Sequence, residues 1–470
     1  MPGRWWPPAI GSALVTPLLR RLAPSEGSRA SRAKPRRRTE LGLLVLSALI
    51  VVAMYVVASV GTTAKIPANL GPFLGIVLAL ALAAHVANRI YAPDANSVVL
   101  PIVTLLNGLG YVMLARIGGG WAQAQAGWTA IGVGAYIVTL AVVRRSRDLD
   151  RYRYLLLLGA VALMLAPLVP HLGRNIRGAR LWVFIGPFNG QPVELAKLAL
   201  CVFFASYFVE RRELLSVPTM RVGNRLVLDP RPLVPILVAW GFAMVVLGAE
   251  HDVGFALLIF VLFMSMLWLT SGRWSYVLFG VILFAVGAYV ANELFSQVHV
   301  RIAEWLHPGP TDQISLGLYG LGTGGLTGTG LGFGHIVAAC PVHCTNPIPE
   351  VQSDYIFAAF GTEMGLLGTT LIVFAFALLT GSGMRIAQTA RSEFAQMVAA
   401  GLTVILGFQA FSIMAGIVRL LPLTGITLPF MAYGGSSLVA NYILVALLMR
   451  ISDEGERAVV SEAATATRVL

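Results

Sequence analysis

Glu194 and Lys197 stand three residues apart in QPVELAKLAL, a spacing that puts both on one face of a helix. Ionisable groups among apolar neighbours are costly in lipid, and an adjacent opposite charge lowers that cost. The pair therefore either fixes packing or borders a polar cavity. Just before it, HLGRNIRGARLWVFIGPFNGQ carries Arg174, Arg177 and Arg180. Glu250, His251 and Asp252 crowd one turn in GAEHDVGFALL, where Asn, Gly or Ser would serve a bland turn; Asp252 is also suited to cap the helix that follows. Arg301, Glu304, His307 and Asp312 precede a glycine-rich run in RIAEWLHPGPTDQISLGLYGLG, and SDYIFAAFGTEMGLLG holds Asp354 and Glu363. Together these ionisable residues point to a polar cleft shared by Glu194, Lys197, Asp252 and the arginines.

The chain around these residues is apolar. Of 470 residues 57% are hydrophobic and 12% charged, and the mean hydropathy is +0.77. A soluble fold carries about a quarter charged residues, so a soluble enzyme is excluded and a polytopic all-α membrane bundle is expected. The net charge of +12 comes from short basic runs between apolar stretches, which encode topology and do not track a nucleic acid. Residues 1–40, with nine basic residues and two acids, read as a disordered basic tail.

Twelve apolar stretches of spanning length follow, at 41–61, 70–91, 97–116, 126–143, 154–170, 192–209, 232–249, 253–271, 275–295, 354–380, 395–418 and 428–449. Lipid cannot satisfy bare peptide groups, so each must be helical. With the basic tail in the cytoplasm, 26 of the Lys and Arg residues fall on the inner side and seven on the outer, so both termini are expected to be cytoplasmic, with 451–470 as a C-terminal tail. The segments 171–191 and 296–353 then face outward. The second contains LGLYGLGTGGLTGTGLGFGH, whose glycines allow close backbone approach; with no preceding strand and no GK[ST], it is not a nucleotide loop. A phosphate cradle of its amides stays open as a weaker reading. Cys340 and Cys344, four residues apart in the same outer segment, are open to three readings: a disulfide, free thiols, or a metal site with His335 and His343. Pro and Gly in VRLLPLTGITLPFMAYGGSSL break the helix near the outer surface, which requires protein or a watery cavity beside it.

The stretches GARLWVFIGPFNGQPVELAKLA, EHDVGFALL, LGLYGLGTGGLTGTGLGFG, IPEVQSDYIFAAFGTEMGLLG and LPLTGITLPFMAYGGSSL together resemble the SEDS family of cell-wall proteins, which includes RodA, FtsW and SpoVE. They run in the family's order over about residues 97 to 450. The resemblance implies a ten-helix core at 96–450 carrying the outer loop 296–353, with two extra helices at 41–95, a layout more like RodA members than FtsW members.

It also implies a peptidoglycan glycosyltransferase that polymerises lipid II at the outer face of the bacterial cytoplasmic membrane, working with a class B penicillin-binding protein. A sugar hydroxyl must then attack an anomeric carbon whose leaving group is a polyprenyl pyrophosphate, which calls for a carboxylate base and cations. Asp312 is the expected base with Glu304 in reserve. Arg174, Arg177, Arg180, Glu194, Lys197, Asp252, Arg301 and Glu363 are expected to bind substrate. The family's DPxGxGYQ-like stretch is compressed here to WLHPGPTDQISLGLYGLG. No cofactor is evident, and a divalent cation stays possible. Two other classes remain: a lipid flippase or transporter, which needs polar groups near the midplane reachable from both sides, and a catalytically degenerate scaffold for a penicillin-binding protein.

Overall fold

The computed structural model describes residues 36–65, 70–118, 120–176, 179–185, 188–216, 220–222, 225–227, 234–250, 252–334, 348 and 350–469. The first apolar stretches form helices α1 (Arg36–Thr63), α2 (Leu70–Tyr91), α3 (Val99–Ile117), α4 (Trp121–Val142) and α5 (Arg153–Leu165). A three-stranded antiparallel sheet follows: β1 (Gly173–Ile176), β2 (Ala179–Ile185) and β3 (Phe188–Gly190), in the order β1-β2-β3. After it come α6 (Val193–Glu210), a small hairpin of β4 (Met220–Val222) and β5 (Arg225–Val227), then α7 (Val234–Glu250), α8 (Val253–Ser271) and α9 (Trp274–Leu294). The outer loop supplies α10 (Ser296–Leu306) and α11 (Gln313–Gly324), and the chain ends with α12 (Ile356–Thr389), α13 (Glu393–Ile417) and α14 (Gly435–Val469).

Each expected span overlaps a helix. Among the described residues, eight helices are both long and apolar enough to cross a membrane, and Gly75–Tyr91 and Arg153–Leu168 are shorter apolar helices. This is a multi-pass helical membrane protein. α6 differs from the other spans because it carries Glu194, Lys197 and Glu210. Three boundaries differ from expectation. α1 begins at Arg36, so residues 36–40 are helical; residues 1–35 lie outside the described part. α14 begins at Gly435, because 418–434 is a non-helical segment buried against the bundle, and it runs on to Val469 where a tail was expected. The segment 171–191, read only as a loop, contains the sheet.

α6, α8 and α13 form the centre. Phe204 and Phe263 meet edge to face at 5.7 Å, and Cys201, a buried free thiol, fills the space over Gly401. α14 packs along α4, with Tyr442 over Gly132, and α1 packs on α3, with Val51 over Gly108. α9 lies apart, with 6% of its spanning window buried against 78% in α14; its Leu278, Phe279, Ile282 and Phe284 are exposed, a surface only lipid or an apolar partner can cover.

The non-helical segment 418–434 closes one end of the core. Ile426, Leu428, Phe430 and Met431 are buried, and its carbonyls find partners: Thr427 O accepts from Gln409 and Thr424 O from Arg301. Irregular backbone at this depth is stable only when its polar groups are met by protein in this way.

Candidate active site

The sheet delivers the chain into α6 and is tied to the last helix, since Gln191 N–H donates to Ser436 Oγ at 2.9 Å. One turn into α6, Glu194 and Lys197 are fully buried and paired with each other. Lys197 Nζ also donates to Gln409 Oε1 of α13 at 2.8 Å and lies 5.7 Å from the centre of the Phe255 ring, within reach of a cation–π contact. Gln409 Nε2 donates to Thr427 O at 3.0 Å and to Ser437 Oγ at 3.3 Å, and Asn441 Nδ2 donates to the same Ser437 Oγ at 3.3 Å.

Asp252 caps α8, its Oδ1 accepting from Phe255 N–H at 3.0 Å. Its other oxygen, Oδ2, is buried without a hydrogen-bond partner, as are Glu194 Oε1, Thr427 Oγ1 and Asn441 Oδ1. Over nine-tenths of buried polar groups in native proteins are bonded, so four open acceptors in one linked neighbourhood mark where water or substrate completes the bonding. Burial pushes the Asp252 carboxyl up to about 6; the Phe255 amide and Arg301 oppose that rise and the charge of Glu194 adds to it.

Arg301 connects this interior to the surface. It is half-buried on α10 and donates to Thr424 O at 3.3 Å. α10 is held in place by its end, where Arg419 donates to Trp305 O at 2.8 Å and Leu306 O at 2.7 Å. One turn beyond Arg301, the Glu304 carboxyl is raised by burial and then by the charge of Asp312, with Arg301 opposing. Asp312, also half-buried, stands at the start of α11, and its Oδ2 accepts from Gly309 N–H at 2.6 Å.

Glu194, Lys197, Asp252, Arg301, Glu304 and Asp312 are thus linked in one neighbourhood. Arg174 and Arg180 lie on β1 and β2, Arg174 paired in register with Trp182. Arg177, His251, Cys340 and Cys344 lie outside the described residues. Glu363 is placed differently: it is buried on α12, its Oε1 accepts from Arg116 Nε at 3.0 Å and its Oε2 from Gly332 N–H at 3.0 Å, while Arg116 donates to Gly334 O at 2.9 Å. The glycine-rich run, open to reading as an anion cradle, spends its amides on α12. Thr329 and Gly330 N–H donate to Thr362 O and Glu363 O at 3.0 Å each, and Leu366 N–H returns to Gly325 O at 2.9 Å across a kink where Gly365 has φ 64°. Sequence reasoning missed Gln409, Thr427, Ser437 and Asn441. The available signal was an isolated amide inside each apolar span, in LGFQAFS and VANYIL, the costly placement that marks function or interhelical bonding. Among the described residues, no group of three or more His, Cys, Asp or Glu side chains is placed to hold a metal ion.

A family model described as a cell cycle protein, for FtsW, RodA and SpoVE, matches residues 97–457. The chain belongs to the FtsW/RodA/SpoVE family. The peptidoglycan glycosyltransferase RodA of Mycobacterium tuberculosis is 36% identical over 438 residues, covering 90% of this chain and 92% of that one. That share is too large to leave out α1 and α2 altogether, although both precede the family match. In fold, the chain is similar to one from a peptidoglycan synthase complex that coordinates polymerization and crosslinking, with a TM-score of 0.61 at 23% identity, covering 77% of this chain and 98% of that one. It is likewise similar to the rod shape determining protein RodA of Thermus thermophilus, with a TM-score of 0.54 at 22% identity, covering 76% and 96%.

Proposed function

We propose that this peptidoglycan glycosyltransferase polymerises lipid II at the outer face of the bacterial cytoplasmic membrane, crossing it twelve times with both termini inside. The single observation that carries the site assignment is the linked set of carboxylates and cations running from Glu194 and Lys197 through Asp252 and Arg301 to Glu304 and Asp312, with open acceptors at its base. In this reading an acceptor sugar hydroxyl attacks the anomeric carbon of the donor and loses its proton to Asp312, Glu304 holding the reserve role. The new glycosidic C–O bond forms as the C–O bond to pyrophosphate breaks, and the electron pair leaves with the pyrophosphate. Arg301 and the arginines of the β1–β2 hairpin balance that charge, while Lys197 sets the field beneath them. A divalent cation carried by the pyrophosphate is compatible with this set.

The partner in this reading is a crosslinking enzyme of the class B penicillin-binding protein type, supported by the fold likeness to a chain of a peptidoglycan synthase complex. A flippase is disfavoured because the charged groups at the opposite end of the bundle are paired with one another, Arg450 and Arg457 with Asp453 and Arg457 also with Asp94. The test is polymerisation of labelled lipid II by the purified protein, alone and with its partner. Glycan chains from the parent, lost in Asp312→Asn at unchanged accumulation, support the assignment. Normal chains from Asp312→Asn but not Glu304→Gln move the role to Glu304, and no chains from the parent leave the scaffold. For orientation, an impermeant thiol reagent on intact cells should label Thr327→Cys and spare Arg391→Cys.

A further inference from the structure

α1 precedes the family match at 97–457, yet it touches the outer loop that carries Glu304 and Asp312. Its outer end meets the glycine-rich run at two reciprocal points. A Cβ on Gly61 would fall 2.2 Å from Leu331 O, and a Cβ on Gly332 would fall 2.6 Å from Ala58 O and 2.9 Å from Thr62 N. Backbone meets backbone here, so neither contact is relieved by turning a side chain. Gly332 has φ 90°, a conformation that only glycine adopts without strain. Its other side is bound as well, for its N–H donates to the buried carboxylate of Glu363 at 3.0 Å. The run is therefore held between two walls, α12 behind and α1 in front.

We infer that α1 is a positioning element of the outer loop, with Gly61 as the residue that lets it seat the run against Glu363. The run continues α11, which lies along α12 through close approaches of Gly317 to Tyr355, Gly320 to Thr362 and Gly324 to Gly361. Asp312 stands at the far end of α11, about 18 Å away for a helix of this length. A side chain at Gly61 pushes Leu331 and Gly332 off Glu363, and the displacement passes along α11, because packed helices transmit strain with little compression. The inference rests on the reading that Glu304 and Asp312 handle the proton.

The experiment compares full-length Gly61→Val, Gly61→Ala, Gly42→Val and Asp312→Asn in a membrane mimetic. Gly42 lies on the same helix with nothing within 4 Å of its Cβ, so Gly42→Val controls for a valine in α1. Lipid II polymerisation is read as kcat and KM separately, and backbone hydrogen exchange is read over 329–334. Gly61→Val should lower kcat about tenfold to a hundredfold, the scale of an ångström-sized misplacement, with KM unchanged and faster exchange at Gly330 and Gly332. Gly61→Ala should move the same way by less, and Gly42→Val should match the parent. Parental kcat in Gly61→Val, a loss without faster exchange, an equal loss in Gly42→Val, or failure of both Gly61 variants to accumulate overturns the inference. If Gly61→Val behaves as expected while Asp312→Asn polymerises normally, the brace stands and the base assignment fails.

Discussion

Both ends of the bundle bury charged and polar side chains, and they differ in how many of the buried oxygens are left open. At the end that holds the last turns of α14, Arg450 donates to Val143 O at 2.7 Å and to the carbonyls of Tyr91 and Leu140. Asp453 accepts from Asp94 N–H at 2.8 Å through Oδ1, and its Oδ2 forms an ion pair with Arg457 at 2.9 Å. Glu40 receives His85 at 2.8 Å and Asn88 at 3.2 Å, and Tyr136 donates to Asn88; within this set His85 Nε2 and Asp453 Oδ2 make no hydrogen bond, the latter being met by ion pairs instead. At the opposite end, Glu194, Asp252, Thr427 and Asn441 each keep an open oxygen. A saturated buried network holds helices in register, whereas one with spare acceptors has kept capacity for something that arrives later.

The sharpest way to break this contrast is at its surface end. General-base catalysis contributes about 100-fold to 10,000-fold, so Asp312→Asn should lower turnover by roughly that range while lipid II binding and the melting temperature hold. A parental rate would detach the open cluster from the chemistry. Arg450→Met should act in the opposite manner. Breaking a buried ionic network costs about 3–5 kcal/mol, so unfolding in detergent should shift by that order while activity per folded molecule stays near parental. A variant that is equally stable but inactive would give the Arg450 cluster a functional role.

The buried pair at Glu194 and Lys197 tests both properties at once. Lys197→Met strands a buried carboxylate and should destabilise by about 3–5 kcal/mol. Adding Glu194→Gln should restore much of that stability without restoring polymerisation, a separation that a double-mutant cycle reads directly. Recovery of activity along with stability would make the pair purely structural. The smallest effect is expected at Asp252. Its carboxyl is raised by burial from the ordinary 3.8 to about 6, so the folded state carries the cost of its charge above about 6 and is free of it below 3.8. Asp252→Asn keeps the cap and removes the charge. Its melting temperature should therefore exceed the parent's near neutral pH, by an amount that shrinks through that window as pH falls. A gap that does not change with pH would show that burial of the charge is not its origin.

Composition and periodicity alone determined that the chain is a helical membrane bundle and where most spans fall, because apolar length is a local property and lipid permits no other regular spanning form for such segments. Residue type and spacing singled out Glu194, Lys197, Asp252, Arg301, Glu304 and Asp312, the acids and cations that the fold links, and the resemblance supplied the roles expected of them. Only the tertiary structure separated their roles. Glu363 and Asp252 look alike in sequence, each an acid beside an apolar helix. Glu363 has both oxygens bonded by residues 247 and 31 positions away, whereas Asp252 has one bonded to its own helix and one left open. The sheet at 173–190 was likewise hidden, since a short apolar run such as ARLWVFI cannot be assigned to a strand by periodicity alone. The contact of Gly61 with Leu331 was hidden for a different reason: it joins positions 270 residues apart through bare backbone. Whether a buried polar atom is spent or free depends on partners that arrive from distant parts of the chain, and no local pattern of residues records that.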